Sequence, residues 1–361
     1  MILAINTGSS SLKFKLFGAG LREISSGCFD GLKSARDYKN SFTALSAGIK
    51  KFANSERPLQ AICHRVAHGG NLKSPYPISD KQSIRKIEKF NNLAPLHNPP
   101  AISVIKLFRK YFPRIKNSVV FDTSYFVDLP ELSRLMPINR HISANLGYRK
   151  FGFHGISHQY VANQIDRSNH LKIISVHLGA GCSIAAIKNG LPQETSMSYT
   201  PMDGLIMQTR SGAIDPGIVL DLAKRYGLAK TEEILQLRSG LAGISGTDGD
   251  MKSLLRLAGY KVEDEKFDSA PPPDPSGDRK EMAKLAIDKY VYEIKKQIGA
   301  YNLILNGADV LAFTGKIGYN SSVIRDLITK DVDSFRGLRI QAVAPNEELA
   351  MAQELEQEEI Q

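Results

Sequence analysis

Several short stretches of this 361-residue chain carry residue types that could do chemistry together. INTGSSSLKF, from Ile5 to Phe14, is a glycine-bearing, hydroxyl-rich turn between two apolar runs, with a lysine just behind. Backbone N–H groups, hydroxyls and an ammonium in one tight turn can hold an anion. HLGAGCS (177–183) repeats the arrangement half a chain later. Arg65 lies among histidines and glycines in HRVAHGG (64–70), and Arg210 is followed directly by Ser-Gly. A guanidinium fork grips a carboxylate or a phosphate bidentately, the plain alternative being a surface cation. Asp122 follows the apolar run SVVF, and the C-terminal end of a buried strand is where α/β sheets place ligand-binding groups. Glu347 and Glu348 stand where a helix should start, a position that also suits acids for purely electrostatic reasons.

These residues need elements to position them. Ile2–Ile5 and Leu12–Phe17 read as short strands around the opening turn, and Leu59–Cys63 and Val119–Phe121 as buried strands. Helical spacing covers 81–91 and 101–112. Between them LAPLHNPP (93–100) holds three prolines and is expected to be irregular. KIISVHLGAGCSIAAIKNG (172–190) reads as strand, small-residue turn, strand and Asn-Gly hairpin turn. One Gly/Ser turn between strands is weak evidence, but two at equivalent places suggest a duplicated fold with a phosphate-contacting turn in each half. Residues 279–302 form a long helix with Ile287, Val291, Ile294 and Ile298 on one face. The acidic, proline-rich stretch 263–278 is expected to be a surface loop. DVLAFTGKIGYN (309–320) reads as a strand and a glycine turn, and Asn346 as the N-cap of a last helix.

Length gives a prior of two domains. The three cysteines, Cys28, Cys63 and Cys182, have no metal-ligand spacing and point to a reducing, cytoplasmic compartment. No apolar stretch is long enough to span a bilayer, and the start reads as a first strand, not a signal peptide. The formal net charge is +10, but the basic residues are dispersed without interleaved aromatics. That favours a solvated basic surface, suited to small anionic substrates, over a nucleic-acid site.

Read in order, ten segments resemble the acetokinase family of acetate, propionate and butyrate kinases: NTGSSSLKF, HRVAHGG, LAPLHNPP, VVFDTSYF (119–126), FGFHGISH (151–158), HLGAGCS, ETSMSYTPMDGLIMQTRSGAIDP (194–216), SGLAGISGTDGDM (239–251), FTGKIGYNS (313–321) and APNEELAMAQE (344–354). The resemblance implies an α/β protein of two ribonuclease-H-like (actin-like ATPase) domains with an interdomain active-site cleft. The first would comprise 1–150 with a returning helix at 345–361. The second, 151–344, would bind nucleotide and form a homodimer. It implies reversible transfer of the ATP γ-phosphoryl group to acetate, giving acetyl phosphate and ADP, with Mg²⁺ or Mn²⁺. An ionised carboxylate needs no base, so such a site must chiefly position its substrates and neutralise charge.

By the same resemblance Arg65 binds the substrate carboxylate, Arg210 stabilises the transferring phosphoryl group and His154 donates to the transition state. Asp122 lies at the active centre, where cation or water-shell positioning suits the chemistry better than proton transfer. Asn6 and Glu347 belong to the metal site. Ala67, Leu96, Phe153 and Pro201 line the acyl pocket, which His97 helps to shape in the family pattern. Ser9, Ser11 and Lys13 form one phosphate loop, and His177, Leu178, Gly179, Ala180 and Gly181 the other. Asp250, Met251 and Lys252 contact nucleotide, as do Gly315, Lys316, Ile317, Gly318 and Tyr319. Departures from the family pattern cluster on the nucleotide side, at Ala180, Gln208, Ala213, Lys252, Lys316 and Tyr319. Two alternatives follow: another phosphoryl donor such as pyrophosphate, with Gln208, Lys316 and Tyr319 filling the adenosine cavity, or a weakly active paralogue that binds acyl phosphate.

Overall fold

The computed structural model describes every residue except 9, 54–57, 263–277, 331–336 and 361. Ser9 and nearly all of the acidic, proline-rich stretch therefore lie outside the described residues. The chain packs as two units, each with its own sheet. The first comprises Met1–Asp128, Phe153–Tyr160 and Asn346–Gln361; the second comprises Leu129–Gly152 and Val161–Pro345.

In the first unit the strands are β1 (Ile2–Thr7), β2 (Ser11–Phe17), β3 (Glu23–Asp30), β4 (Ala61–Val66), β5 (Tyr76–Pro77) and β6 (Lys116–Phe121), in the order β3-β2-β1-β4-β6-β5. The first three form an antiparallel meander, and β4 and β6 run parallel to β1. The second unit repeats this plan. Its strands β7 (Lys172–Leu178), β8 (Cys182–Lys188) and β9 (Leu191–Thr195) form the meander, and β10 (Val310–Thr314) and β11 (Arg339–Ala342) run parallel to β7. The duplication suggested by the two turns is thus present in the strand order.

Period-two alternation sorts the first sheet into two faces. Leu3, Ile5, Leu12, Leu16 and Ile62 pack on the helices Ala35–Ala53 and Asn98–Tyr111 through Tyr38, Phe42, Leu45, Val104 and Phe108. The opposite face carries Ile2, Ala4, Phe17, Ala61 and Cys63 against Ala350, Met351 and Leu355 of the C-terminal helix Glu347–Ile360. Asn6 and Arg65 continue these second rows by alternation. Each row is apolar at one end and polar where β1 and β4 finish. Asn346 caps the helix there, its Oδ1 accepting from the Leu349 N–H at 3.3 Å. The strands therefore end against a helix start that carries two acids.

Two expectations change. Asn98, Pro99 and Pro100 belong to the helix Asn98–Tyr111, with proline in its first turn, because the first N–H groups of a helix have no partner to lose. Gly315 opens the short helix Gly315–Asn320 in place of a free turn. The Asn189-Gly190 hairpin is present, with φ of 54° and 74°. The long helix Arg279–Ile304 buries Ile287, Val291, Ile294 and Ile298. Among the described residues no helix is long and apolar enough to cross a membrane.

Glu354 of the C-terminal helix carries a cost. Its Oε2 is sealed from solvent without a hydrogen-bond partner among the described residues, and burial raises its pKa to about 7 from 4.5. Between those values the folded chain keeps a proton that the unfolded chain has lost. The contribution of Glu354 to stability is therefore fullest below pH ~4.5 and falls as pH rises to about 7, by about 1.4 kcal/mol per unit at its steepest. Glu354→Gln is expected to flatten that dependence, matching the unsubstituted chain at pH 4 and exceeding it at pH 8 in urea unfolding. Parallel curves for the two proteins across this range would contradict it.

Candidate active site

Three adjacent parallel strands, β1, β4 and β6, deliver Asn6, Arg65 and Asp122 at or just past their C-terminal ends. The guanidinium of Arg65 lies at the centre of the group. Its Nε donates to Asp122 Oδ1 at 3.0 Å and Oδ2 at 3.3 Å, and its Nη2 to Asp122 Oδ2 at 2.7 Å. Its Nη1 donates to Asn6 Oδ1 and to Glu347 Oε2, both at 3.0 Å. Asn6 in turn donates through Nδ2 to Glu347 Oε2 at 2.9 Å and Glu348 Oε1 at 2.8 Å. Burial works against the charged guanidinium, but Asp122 and then Glu347 outweigh it and hold the Arg65 pKa above its ordinary value. Burial also pushes the Asp122 carboxyl up, with Arg65 opposing and Glu347 reinforcing.

The structure thus brings Asn6, Arg65, Asp122 and Glu347 together and adds Glu348, which is buried. The sequence offers a signal for Glu348, two consecutive acids at a helix start, but helix electrostatics explain it equally well. The family reaction implies a divalent cation, and the donor set here suits one. An amide oxygen and three carboxylates form a hard oxygen set, of the kind taken by Mg²⁺ or Mn²⁺ and not by soft-ligand metals. Three acids against one guanidinium also leave negative charge uncompensated. Among the described residues no three His, Cys, Asp or Glu side chains form a metal-holding group by themselves.

The FHG stretch is fastened to the same strand end. The Gly155 N–H donates to the Asp122 carbonyl at 2.9 Å, and a Cβ on Gly155 would lie 2.3 Å from that oxygen. His154, half-buried, precedes it at φ 58°. Ala67 and Phe153 are buried, whereas Leu96 is 38% exposed. Asn98 was missed by sequence reading: it is fully buried, accepts from the His68 N–H at 3.0 Å and donates to the His68 carbonyl at 2.9 Å. It ties the HRVAHGG segment to the start of its neighbouring helix. The His68 ring stacks on Phe90 and meets Phe153 edge-on at 5.4 Å between centroids. His97 is half-buried at the head of that helix. Ser11 is half-buried, and Lys13 is exposed opposite Asn6 in the β1–β2 pair.

In the second unit four segments meet near the end of β7. His177 and Leu178 are buried, and the turn Gly179–Gly181 closes through a Gly179 N–H to Gly181 carbonyl bond of 3.1 Å. The Gln208 N–H donates to the Ala180 carbonyl at 3.2 Å, and its side chain donates to the Asp248 carbonyl at 3.1 Å. Gly315 abuts Leu178 so closely that a Cβ would lie 2.5 Å from its carbonyl oxygen. Arg210 donates from Nη1 to the half-buried Pro201 carbonyl at 2.8 Å, and burial lowers its pKa. Asp250 caps the helix Met251–Leu257, accepting from the Ser253 N–H at 3.0 Å, while Met251 is buried. Lys252 and Ile317 are half-buried, Gly318 is buried, and Lys316 and Tyr319 are exposed.

Comparison with known proteins gives the family of the chain. The profile of the acetokinase family matches residues 1–353. The acetate kinase of Thermosipho melanesiensis is 34% identical over 372 residues, covering 94% of this chain and 87% of the relative. Among solved structures, a propionate kinase from Francisella tularensis superposes with a TM-score of 0.82 at 31% identity, covering 98% of each chain. The acetate kinase of Porphyromonas gingivalis superposes with a TM-score of 0.80 at 28% identity, covering 99% of this chain and 98% of that one. With a profile match over nearly its whole length, the chain belongs to the acetokinase family.

Proposed function

We propose that the chain is an acetate kinase, transferring the γ-phosphoryl group of ATP to acetate reversibly, with Mg²⁺ or Mn²⁺. The carrying observation is the largely buried cluster in which Asn6, Arg65 and Asp122 meet Glu347 and Glu348. A carboxylate attacking a phosphate must overcome repulsion between anions, and this cluster supplies both a guanidinium and a place for a cation. The cation, when bound, neutralises charge on the phosphate oxygens. Asn6, Glu347 and Asp122 would hold it. Arg65 receives the acid, Arg210 stabilises the transferring phosphoryl group and His154 donates to it. Ala67, Leu96, Phe153 and Pro201 line the acyl pocket. Ser9, Ser11, Lys13 and the 177–181 turn bind phosphate, and 250–252 and 315–319 bind the rest of the nucleotide. Nothing in the comparisons favours pyrophosphate or a binding-only role. A cytoplasmic homodimer built on the second domain completes the reading.

The test is acyl-phosphate formation trapped as hydroxamate, with ATP and pyrophosphate compared. Product from acetate, ATP and Mg²⁺ is expected; product with pyrophosphate alone would overturn the donor assignment. Ala67 stands where valine is usual in the family pattern, so propionate should be a good substrate. Ala67→Val is expected to reduce propionate kcat/KM relative to acetate by roughly 10-fold or more, a methylene in such a pocket being worth about 1–3 kcal/mol. Equal loss for both acids would remove Ala67 from the pocket.

A further inference from the structure

The donors of Arg65 are nearly exhausted. A guanidinium has five N–H groups. Nε and one Nη2 hydrogen form a fork on Asp122, and both Nη1 hydrogens serve Asn6 and Glu347. Among the described residues one N–H, on Nη2, is left over. A carboxylate held bidentately needs two on one edge. The end-on edge, Nη1 with Nη2, is complete only if Nη1 leaves Asn6 or Glu347. Asp122 can meanwhile keep the Nε and Nη2 edge and hold the side chain in place.

The two oxygens that Nη1 occupies, Asn6 Oδ1 and Glu347 Oε2, are hard donors of the kind a divalent cation takes. The orientation of Asn6 is fixed from behind, because its Nδ2 is bound to Glu347 and Glu348. Its Oδ1 therefore faces a cation, whether that cation is Arg65 or a metal ion. One position is contested by two cations, and losing it makes the guanidinium a competent fork for an acid.

We propose that Arg65 is the resident counter-cation of this acidic cradle, and that a divalent ion displaces its Nη1 from Asn6 and Glu347 and so opens the end-on edge to the substrate carboxylate. This rests on the reading of the chain as an acyl kinase. It makes metal and acid binding mutually reinforcing. Linkage requires the factor to be the same in both directions.

The experiment is Mn²⁺ binding to the nucleotide-free protein, followed by the electron paramagnetic resonance of the free ion, with and without saturating acetate. Acetate is expected to tighten Mn²⁺ binding at least fivefold, and Mn²⁺ to tighten acetate binding in calorimetry by the same factor. Arg65→Ala is expected to bind Mn²⁺ at least as tightly as the unsubstituted chain without acetate, and to show no response to acetate. Unchanged Mn²⁺ affinity on adding acetate to the unsubstituted chain overturns the proposal, whatever the variant does. Coupling that persists in Arg65→Ala overturns it too. Hydroxamate formation on the same preparation separates the two failures. Activity without coupling leaves the acyl-kinase reading standing and removes only the displacement. No hydroxamate from acetate and ATP removes the reading itself.

Discussion

Asp122→Ala is expected to cost about 3–5 kcal/mol of stability and to lower kcat/KM by roughly 10²–10³-fold. The stability loss follows from which partner is removed. Asp122 is 2% exposed and receives three of the hydrogen bonds from Arg65. Deleting it leaves a largely buried guanidinium with Nε and one Nη2 hydrogen unserved and Glu347 as its remaining ion-pair partner, and breaking a pair this buried is far costlier than losing an exposed one. The activity loss has a separate origin. Without the Asp122 fork nothing fixes the Nε edge of Arg65, and the cradle loses one of its hard oxygen donors. Asp122→Asn separates the two effects. Its amide oxygen can still accept from Arg65, so most of the stability should return, while the missing charge should keep activity low. Urea unfolding and the hydroxamate rate, measured on both variants, decide the matter. An alanine variant as stable as the parent would show that Arg65 does not depend on this carboxylate.

The central strands of both units are legible in the sequence because their signals are local, whereas β3, β5 and β11 are not read there. The alternation in LAINT and SLKFKLF, the Asn-Gly turn and the three- and four-residue spacing of the long helix each need only their own neighbourhood. The motif positions Asn6, Arg65, Asp122 and Glu347 are legible as a group only through the resemblance of their segments to the acetokinases. What is not legible depends on residues far apart in the chain. Glu348 has a sufficient reason to stand at a helix start, so nothing in the sequence marks it as a partner of Asn6, 342 residues away. The prolines after Asn98 look like helix breakers until the helix is seen to begin there. No composition or spacing says that the donors of Arg65 are already taken. That is a property of three strand ends and a helix meeting at one point.

Gly155 is the sharpest case of such a hidden constraint, and Gly155→Ala is expected to cost about 2–4 kcal/mol and about 100-fold in activity. A glycine at the start of a helix is usually read as a turn residue. Here its role is space. The new Cβ would lie 2.3 Å from the Asp122 carbonyl oxygen, 3.3 Å from its carbonyl carbon and 2.9 Å from the Tyr125 Cβ. None of these atoms is the end of a flexible side chain, so no rotamer change makes room. Backbone must move against backbone, and the 2.9 Å Gly155–Asp122 hydrogen bond stretches first. The displacement falls on the residue that forks Arg65 and on His154 next to it in the chain. A shift of about 1 Å at reacting groups is enough to cost two orders of magnitude. The effect should divide in a characteristic way: melting temperature falls moderately, while kcat falls steeply even at temperatures where the variant is fully folded. A variant that loses stability alone would show that Asp122 can shift without harm, and that positioning at this strand end is looser than the contacts around Arg65 imply.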